Sequence, residues 1–589
     1  FRQQAGQFQR VLYQFGNSEF HQHMFSLLRD IPGVVVLHDF FLSGVLAWDD
    51  VHGSRKGAWQ EALYHSHGYA PLLALAAGTA PEDIIWRYPA NLGVIQQARK
   101  VIVHAPSSCR MAEYWYGVGA DENFVQIPLL RQPASTDTGQ RARAREALGI
   151  PATDILVCSF GFLGATKLNQ QLVQAWNQSA LAGPGMARLV FVGGQGHGPY
   201  TDQLKKLVNQ SPDSARIHIT GWVSMDTYRQ YLQAADIGVQ LRTRSRGETS
   251  ASVLDCLNYG LATIVNANGS MADLPESAVL RLADQFHLDD LAQALESLYH
   301  SSELRSRLSA QGQALVHTEH APEQCARTYY DTMEAAHLKP VNREAEVIDS
   351  VAEIIAGART NADADRHQLV AAIDWNFPPK PHIASLLVDV SELINVDTST
   401  GIQRVVKQIL RCWFETPPGG RRVYPVYSKP DRPGYWHAAR FTLDWHRPGF
   451  AELPDTPVSF RSADIFIGLD LQPAVVLANA EVYHHMRSLG VQVWFVVYDL
   501  IAIFEPQFFL PGAQDMFTRW LRVVSQSDGL VSISRAVRDE LAAWLEAREA
   551  EQAQWPVLSW FHLGADPVSE TIADTNDASL PTALIPPQA

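Results

Sequence analysis

Short apolar runs alternate with amphipathic segments along most of the chain. Val34 to Leu37 is a continuous apolar run, which is typical of a strand buried in a parallel sheet. Similar runs start near residues 100, 155, 188, 217 and 236, and the spacing of Met225–Ala235 predicts a helix between two of them. Strands that alternate with helices at this pitch predict doubly wound, parallel α/β domains.

The same alternation resumes at Leu386 after a break. Leu386–Ile394 reads as a strand and its following loop, and further strands are predicted at Val423–Tyr427, Asp464–Leu469 and Val491–Tyr498. Between the two α/β regions, residues 338–384 hold one amphipathic helix, Glu344–Ala358, and polar, proline-rich stretches that are typical of a linker. Residues 135–150 read as a shorter linker inside the first region.

The stretch Ser245–Val265 carries the most specific chemistry. A polar loop with Gly247, Glu248, Thr249 and Ser250 runs into an apolar-spaced helix. Backbone N–H groups and the positive end of the helix dipole favour an anion there, above all a phosphate. Asp255 follows Glu248 by seven positions, and two helical turns are expected to leave both acids on about the same face. Two acids beside a phosphate cradle predict a ligand with phosphates and sugar hydroxyls.

Two other places add candidate side chains. His38 and Asp39 follow the Val34–Leu37 strand at its carboxyl end, where open α/β sheets bind ligands, although a histidine that is only hydrogen-bonded at a strand end is the alternative. Lys167 follows a strand and a glycine turn and is placed to neutralise a diphosphate, unless it is an ordinary surface lysine. Arg242, Arg244 or Arg246 is a further candidate cation, with a solvated basic loop as the alternative, and Arg242 is the one that we name for the site.

Composition narrows the function classes. A length of 589 residues predicts about four domains of ordinary size. The net charge of −15 argues against a nucleic-acid coat protein, which needs clustered Lys and Arg. Five scattered cysteines predict neither a disulfide framework nor a zinc site and favour the cytosol. With no run of 18 apolar residues, we expect any membrane association to be peripheral; the family resemblance described below implies that it would be at the inner face of the cytoplasmic membrane. Asp363-Ala-Asp365 imitates a metal-binding DxD motif, but its polar surroundings favour a linker, and no metal site is predicted.

The Ser245–Val265 stretch resembles the donor-site signature of retaining glycosyltransferases of the GT-B fold, family 4. The resemblance implies that Glu248 contacts the donor sugar, Asp255 the nucleotide ribose, His38 the sugar and Lys167 the diphosphate, with Asp39 beside His38 as a catalytic candidate. The spacing from Glu248 to Asp255 is one residue shorter than in the family, and the second acid is Asp instead of Glu. The arginine that the family places a few positions before Lys167 is absent; Phe160 and Phe162 occupy that region.

The second α/β region resembles the first domain of another GT-B unit. Thr400, Gly401 and Arg404 form a turn and helix start that admit either a ligand or a purely structural role. Asp499 lies in an element similar to one in mannosyltransferase-like members, and Trp560–Asp566 is similar to the end of such a domain. We therefore name Gly401, Arg404 and Asp499 as candidates for a second site.

The expected fold class is α/β of GT-B type, with Rossmann-like doubly wound parallel-sheet domains in tandem, in a chain truncated at both ends. The predicted domains are a partial acceptor-side domain (1–140), a nucleotide-sugar domain (141–337), a linker (338–384), the first domain of a second unit (385–570) and a disordered tail (571–589).

The function that the resemblance implies is retaining, metal-independent transfer of a hexose to a growing cell-surface polysaccharide such as O-antigen. GDP-mannose is the expected donor and no cofactor is expected; the expected partners are the nucleotide-diphosphate sugar and a lipid-linked or polysaccharide acceptor. Two alternatives stay open. One is a catalytically inactive GT-B partner of a polysaccharide polymerase, and the other is a different enzyme that shares the pocket, such as a GT-B nucleotide-sugar epimerase or a phosphorylase.

Overall fold

The computed structural model describes residues 2–338 and 381–564, apart from short gaps at 54, 136, 138, 183–186, 195, 197, 399, 451–452 and 549–554, together with a few residues between 350 and 376. The chain divides into two compact units. The first contains residues 1–48 and 93–341, and the second contains residues 49–92 and 342–589. Each unit is described separately below.

The first unit begins with a four-stranded parallel sheet in the order β1-β2-β3-β4. Its strands are β1 (Leu12–Phe15), β2 (Val34–Leu37), β3 (Lys100–Val103) and β4 (Phe124–Gln126). The helices in this part of the chain are α1 (His23–Asp30), α2 (Ser43–His52), α3 (Ala58–His67), α4 (Ala70–Ala76), α5 (Pro81–Arg87), α6 (Leu92–Gln97) and α7 (Pro106–Tyr116). Of these, α3, α4 and α5 belong to the second unit. All four residues of β2 are buried, as the continuous apolar run predicts.

A six-stranded parallel sheet follows in the first unit, in the order β10-β9-β8-β5-β6-β7. Its strands are β5 (Ile155–Phe160), β6 (Ala187–Val192), β7 (Ile217–Ile219), β8 (Ile237–Gln240), β9 (Ala262–Asn266) and β10 (Leu280–Leu282). Its helices are α8 (Gln140–Ala147), α9 (Asn169–Gln178), α10 (Pro199–Asn209), α11 (Met225–Ala234), α12 (Ala251–Asn258), α13 (Leu288–His300), α14 (Ser302–Glu319) and α15 (Pro322–Leu338). The order reverses beside β5, and ligands of open α/β sheets bind at the carboxyl ends of strands near such a reversal.

Helix α15 returns the chain to the first sheet. Its Cys325 and Ala336 are buried with Val34 and Val36 of β2 in one apolar cluster. The prediction of a crossover helix at 322–337 is confirmed. The predicted linker at 135–150 is wrong in its second half, because Gln140–Ala147 is helical; its alanine, arginine and glutamine content favours a helix over a linker.

The second unit contains a seven-stranded sheet in the order β13-β12-β11-β14-β15-β16-β17. Its strands are β11 (Ser385–Asp389), β12 (Arg422–Lys429), β13 (Arg432–His437), β14 (Ile465–Gly468), β15 (Gln492–Val497), β16 (Gly529–Ser532) and β17 (Val557–Trp560). Its further helices, numbered on from α15 among the described elements, are α16 (Ser391–Asn395), α17 (Gly401–Glu415), α18 (Ala439–His446), α19 (Pro473–Ala478), α20 (Ala480–Ser488), α21 (Ile501–Phe504), α22 (Ala513–Val524) and α23 (Arg535–Glu546). Every pairing is parallel except that of the edge strand β13 with β12.

These three sheets confirm the predicted fold class of Rossmann-like parallel-sheet α/β domains in tandem. The pattern missed β13, since its Pro433 and Gly434 break a strand signal and are tolerated at a sheet edge.

Residues 49–92 belong to the second unit, although their sequence position suggested the first domain. Tyr64 of α3 packs edge-on against Tyr424 of β12, with ring centroids 5.7 Å apart. The Arg422 side chain donates to the carbonyl oxygen of His65 at 2.9 Å and to that of Ser66. This packing joins residues that are far apart in the sequence, so the local sequence pattern could not predict it.

Three sequence predictions fall outside the described residues. They are the helix Glu344–Ala358 (of which only Ser350, Val351 and Glu353 are described), the Asp363-Ala-Asp365 motif and the tail 571–589.

Candidate active site

The loop 245–250 of the first unit connects β8 to α12 at the carboxyl end of the six-stranded sheet. Helix α12 begins at Ala251, and Ser250 is its N-cap residue. Glu248 therefore lies in the loop before the helix. The expectation that Glu248 and Asp255 share one helix face is wrong, because the loop residues do not follow the helical period.

Glu248 is held by its own loop and by a neighbouring arginine. One carboxylate oxygen, Oε2, accepts from the backbone N–H of Arg246 at 2.7 Å and from Ser245 Oγ at 3.3 Å. The other, Oε1, lies 3.3 Å from Arg242 Nη1. These contacts fix the orientation of the carboxylate.

Lys167 and Arg242 place two positive charges near Glu248. Burial, followed by the charge of Arg242, lowers the pKa of Lys167 to about 7, while Glu248 acts to raise it. Burial also lowers the pKa of Arg242, again against the charge of Glu248. Asp39 and Arg246 also act on Arg242, so the site has three cations and two carboxylates, and a further anion would be stabilised here.

Gly247 lets the loop approach the first sheet of the same unit. Its φ is +81°, and a Cβ atom at this position would meet the Cβ of Phe40 and lie 2.7 Å from Met111 Cε. The backbone N–H of Phe41 donates to the carbonyl oxygen of Arg246 at 2.9 Å. Because only glycine fits this position without strain, Gly247 is required for the close contact of the two sheets' loops.

His38 and Asp39 follow β2 directly. Burial raises the pKa of Asp39, whose charge also interacts with those of Arg246 and Glu248 in the 245–250 loop. Asp39 Oδ2 accepts from the backbone N–H of Asn17 at 2.8 Å. The structure thus brings Asp39 next to this loop, while the side chain of His38 contacts Gln14 and His104.

Not all of the loop's polar groups are available to a ligand. The N–H of Arg246 donates to Glu248 and that of Gly247 donates to Ser245 Oγ at 3.1 Å, so the expected cradle of backbone amides is smaller than the sequence suggests. Ser250 Oγ accepts from Arg242 at 3.3 Å. The buried Oγ1 of Thr249 has no hydrogen-bond partner among the described residues and could bond to a ligand.

Asp255 lies apart from this group, within helix α12. Its Oδ1 accepts from Arg131 Nε at 3.1 Å, and its Oδ2 accepts from the hydroxyl of Tyr228 at 3.2 Å. Both carboxylate oxygens therefore have protein partners. Arg131 belongs to the chain between β4 and α8, so Asp255 fixes this connection to the six-stranded sheet.

Sequence reasoning missed Gln14, Asn17 and His104. The backbone N–H of Asn17 donates to Asp39, and Asn17 Oδ1 accepts from the backbone N–H of Val45 at 2.9 Å. His104 follows β3 at the sheet edge where His38 follows β2, and the two rings are 5.0 Å apart. The usable signal for His104 was its position at the carboxyl end of a neighbouring parallel strand.

A cavity of about 360 Å³ lies next to Arg242. Its lining includes Leu168, Gln171, Arg242, Thr243, Asp284 and Phe286. It combines amide, carboxylate and guanidinium groups with apolar walls.

In the second unit, Gly401 is the first residue of α17, and Thr400 caps this helix by accepting from Gln403 N at 3.3 Å. Arg404 is exposed. Asp499 follows β15, and its Oδ1 accepts from the backbone N–H of Ile501 at 3.1 Å. Each of these contacts fits a structural role.

A buried polar network that the sequence did not reveal lies at the end of β11. Asp389 accepts from Ser391 N at 2.9 Å and from the Tyr435 hydroxyl at 2.8 Å. Burial raises the pKa of Asp389 to about 6 and that of Asp470 to about 7. The hydrogen bonds of Asp389 named here all join groups within the second unit.

No group of three or more His, Cys, Asp or Glu side chains suited to a metal ion occurs in the described part of the chain. Within that same part, no helix has both the length and the apolar character needed to cross a bilayer.

Residues 140–315 match the family model described as "Glycosyl transferases group 1". Among curated proteins, the chain is similar to serotype-specific mannosyltransferases WbdA of Escherichia coli. One is 30% identical and another 31% identical over 291 residues, which are 46% of this chain and 33% of each relative. The chain thus spans about a third of the length of the relatives it matches.

Two solved structures resemble the chain over about half of its length. One is Anabaena Alr3699/HepE in complex with UDP and glucose, with 15% identity, a TM-score of 0.38 and coverage of 55% of this chain and 99% of that one. The other is WaaG, described as a glycosyltransferase involved in lipopolysaccharide biosynthesis, with 14% identity, a TM-score of 0.37 and coverage of 54% and 99%.

Proposed function

On the premise that residues 140–315 form a group 1 glycosyltransferase domain, we propose that the first unit transfers a hexose from a nucleotide-diphosphate sugar to a growing cell-surface polysaccharide. The observation that carries the proposal is that Lys167, Arg242 and Glu248 converge at the carboxyl ends of the strands of the six-stranded sheet. There they face Asp39 at the end of β2.

The two cations suit the leaving diphosphate. Lys167 and Arg242 are partly desolvated, and the charge of Arg242 adds to burial in lowering the pKa of Lys167. Negative charge develops on the diphosphate as the bond to the sugar breaks, and fixed positive groups stabilise that charge. We assign this role to the two side chains and need no metal ion for it.

The carboxylates and the histidine suit the sugar. Glu248 is oriented by Arg246 and Arg242, so it can accept hydrogen bonds from sugar hydroxyls in a fixed direction. His38 and Asp39 lie across from it at the end of β2. We assign no protein nucleophile, because the proposal is a retaining transfer in which the donor's phosphate acts as the base.

The relatives' description as mannosyltransferases supports mannose as the transferred sugar and GDP-mannose as the donor. The acceptor we propose is a lipid-linked or free polysaccharide such as O-antigen, reached by peripheral association with the cytoplasmic membrane. For Asp255 we replace the expected contact with the ribose by a structural role, since its partners are Arg131 and Tyr228 and neither belongs to the 245–250 loop.

The test is a transfer assay with GDP-[14C]mannose and a synthetic mannose-terminated oligosaccharide, run with and without a chelator. We expect elongated product with the donor's anomeric configuration, no loss with the chelator, and about 100-fold less product for Lys167→Met. Lys205→Met, on the exposed face of α10, is the matched control.

Other outcomes would contradict the proposal. Product of inverted configuration would exclude the retaining mechanism. Conversion of the donor to another nucleotide sugar without acceptor would identify an epimerase. If the chain showed no turnover and bound no donor, the result would favour an inactive partner of a polymerase.

A further inference from the structure

The buried His104 and the half-buried His38 form a pair at the ends of neighbouring parallel strands of the first unit. His104 Nε2 lies 3.1 Å from His38 Nδ1, and His104 Nδ1 lies 2.8 Å from the carbonyl oxygen of Ile127. His104 is only 7% exposed. His38 Nε2 lies 2.6 Å from Gln14 Oε1.

The chemistry of these partners fixes the protons. A carbonyl oxygen only accepts, so Nδ1 of His104 must carry a hydrogen. Burial lowers the pKa of His104 to about 4. At neutral pH the ring therefore carries a hydrogen on Nδ1 only, and its Nε2 has a free lone pair that can accept a hydrogen bond. The 3.1 Å contact with His38 is then a hydrogen bond only if His38 Nδ1 donates.

We infer that His104 is a positioning residue that holds His38 in the tautomer with its proton on Nδ1, which leaves the Nε2 lone pair available to a hydroxyl of the bound sugar. The assignment of a sugar contact rests on the proposed function, whereas the assignment of the tautomer does not. This tautomer requires the Gln14 amide to make a half-turn that presents its NH2 group instead of Oε1 to His38 Nε2. The other tautomer would donate to Gln14 Oε1 but would leave two lone pairs facing each other across the 3.1 Å contact between the rings.

The neighbouring charges are consistent with neutral rings. Burial lowers the pKa of His38, with His21 acting in the same direction and Asp39 against it. His104 faces the positive or ionisable groups of His38, His320 and Arg131. An additional proton on His104 would therefore be repelled from several sides, whereas on His38 it would be opposed by burial and His21 and attracted by Asp39.

The test is the long-range 1H–15N spectrum of the histidine-labelled chain above the pKa of both rings, with His38→Gln to assign the signals. We expect His38 of the unaltered protein to carry its proton on Nδ1. In His104→Leu the Nε2–H form should appear, and kcat/KM for GDP-mannose should fall about 3- to 10-fold, which corresponds to one hydrogen bond. His104→Gln keeps an acceptor oxygen, so it should partly restore the Nδ1–H form of His38 and partly restore kcat/KM.

The matched control is His320→Gln. His320 is also a buried histidine whose Nδ1 contacts a carbonyl oxygen, that of Leu129 at 2.8 Å. Its replacement should leave the His38 tautomer unchanged.

The outcomes separate the two claims. A proton on Nε2 of His38 in the unaltered protein would overturn the inference, and so would an unchanged tautomer in His104→Leu; the first result does not depend on any variant folding. A changed tautomer with unchanged kcat/KM would uphold the positioning role of His104 and overturn the sugar contact of His38.

Discussion

Glu248 Oε1 lies 3.3 Å from Arg242 Nη1, and this pair links the loop before α12 to the end of β8. Lys167, Arg242 and Arg246 together outnumber the two carboxylates of the site, Glu248 and Asp39. The site is therefore electrostatically prepared for an anion.

The first prediction concerns the pH dependence of diphosphate binding. In the free protein the pKa of Lys167 is lowered to about 7, and a bound diphosphate should raise it. Affinity should therefore be highest below pH 7 and fall as the pH rises through the pKa of the complex. Calorimetry with GDP in two buffers of different ionisation enthalpy should show proton uptake above pH 7, which Lys167→Met abolishes and Lys205→Met preserves. Binding that is independent of pH would contradict this assignment.

Gly247→Ala should damage the contact between the two sheets of the first unit. Its Cβ would meet Phe40 and Met111, in addition to the strain of a φ of +81°. Gly149→Ala is the control, because Gly149 has a φ of +65° but nothing within 4 Å of its would-be Cβ. We expect about 1 kcal/mol of destabilisation for Gly149→Ala and a larger loss for Gly247→Ala in thermal unfolding. Equal losses would show that the loop has room for a side chain.

Asp255→Ala should destabilise the free protein. It removes the partner of Arg131 and Tyr228 at a partly buried site, and we expect a loss of about 1–3 kcal/mol. A double-mutant cycle of Asp255→Ala with Arg131→Ala, followed by urea unfolding, should show coupling between the two residues. Unaltered stability with weakened GDP binding would instead support the ribose contact.

Arg422→Ala should loosen helices α3 and α4 within the second unit. Arg422 donates to the carbonyl oxygens of His65 and Ser66 at the end of α3. Hydrogen exchange in residues 58–76 should become faster. Arg432→Ala is the control, since Arg432 of the same sheet lies over the ring of Trp436 at 4.1 Å. No change in exchange for Arg422→Ala would show that the aromatic contacts alone hold the segment.

The sequence predicted those features that depend on local pattern. The apolar run of β2 and the helix from Pro322 are where the periodicity places them. The position of His38 and Asp39 followed from a general property of parallel sheets. The 245–250 loop was recognised because its residue types are unusual together.

The features that were missed depend on long-range packing. The partners of Asp255 come from two separate parts of the chain, so helical spacing could not reveal that its oxygens are occupied. Residues 49–92 join the second unit through Tyr424 and Arg422, more than 300 positions away. The pairing of His104 with His38 required the register of β2 and β3, which no single stretch encodes.

The most direct test of the central claim is calorimetric titration of the chain with GDP, UDP and their mannose, glucose and N-acetylglucosamine conjugates. The titrations would be repeated with Glu248→Ala and Lys167→Ala, and with Glu276→Ala as an exposed acidic control in the same domain. We predict that one nucleotide sugar binds, that both site variants weaken its binding about 10-fold or more, and that the control does not. Absence of binding by every nucleotide sugar, or equal binding by the site variants and the control, would contradict a donor site at Lys167, Arg242 and Glu248.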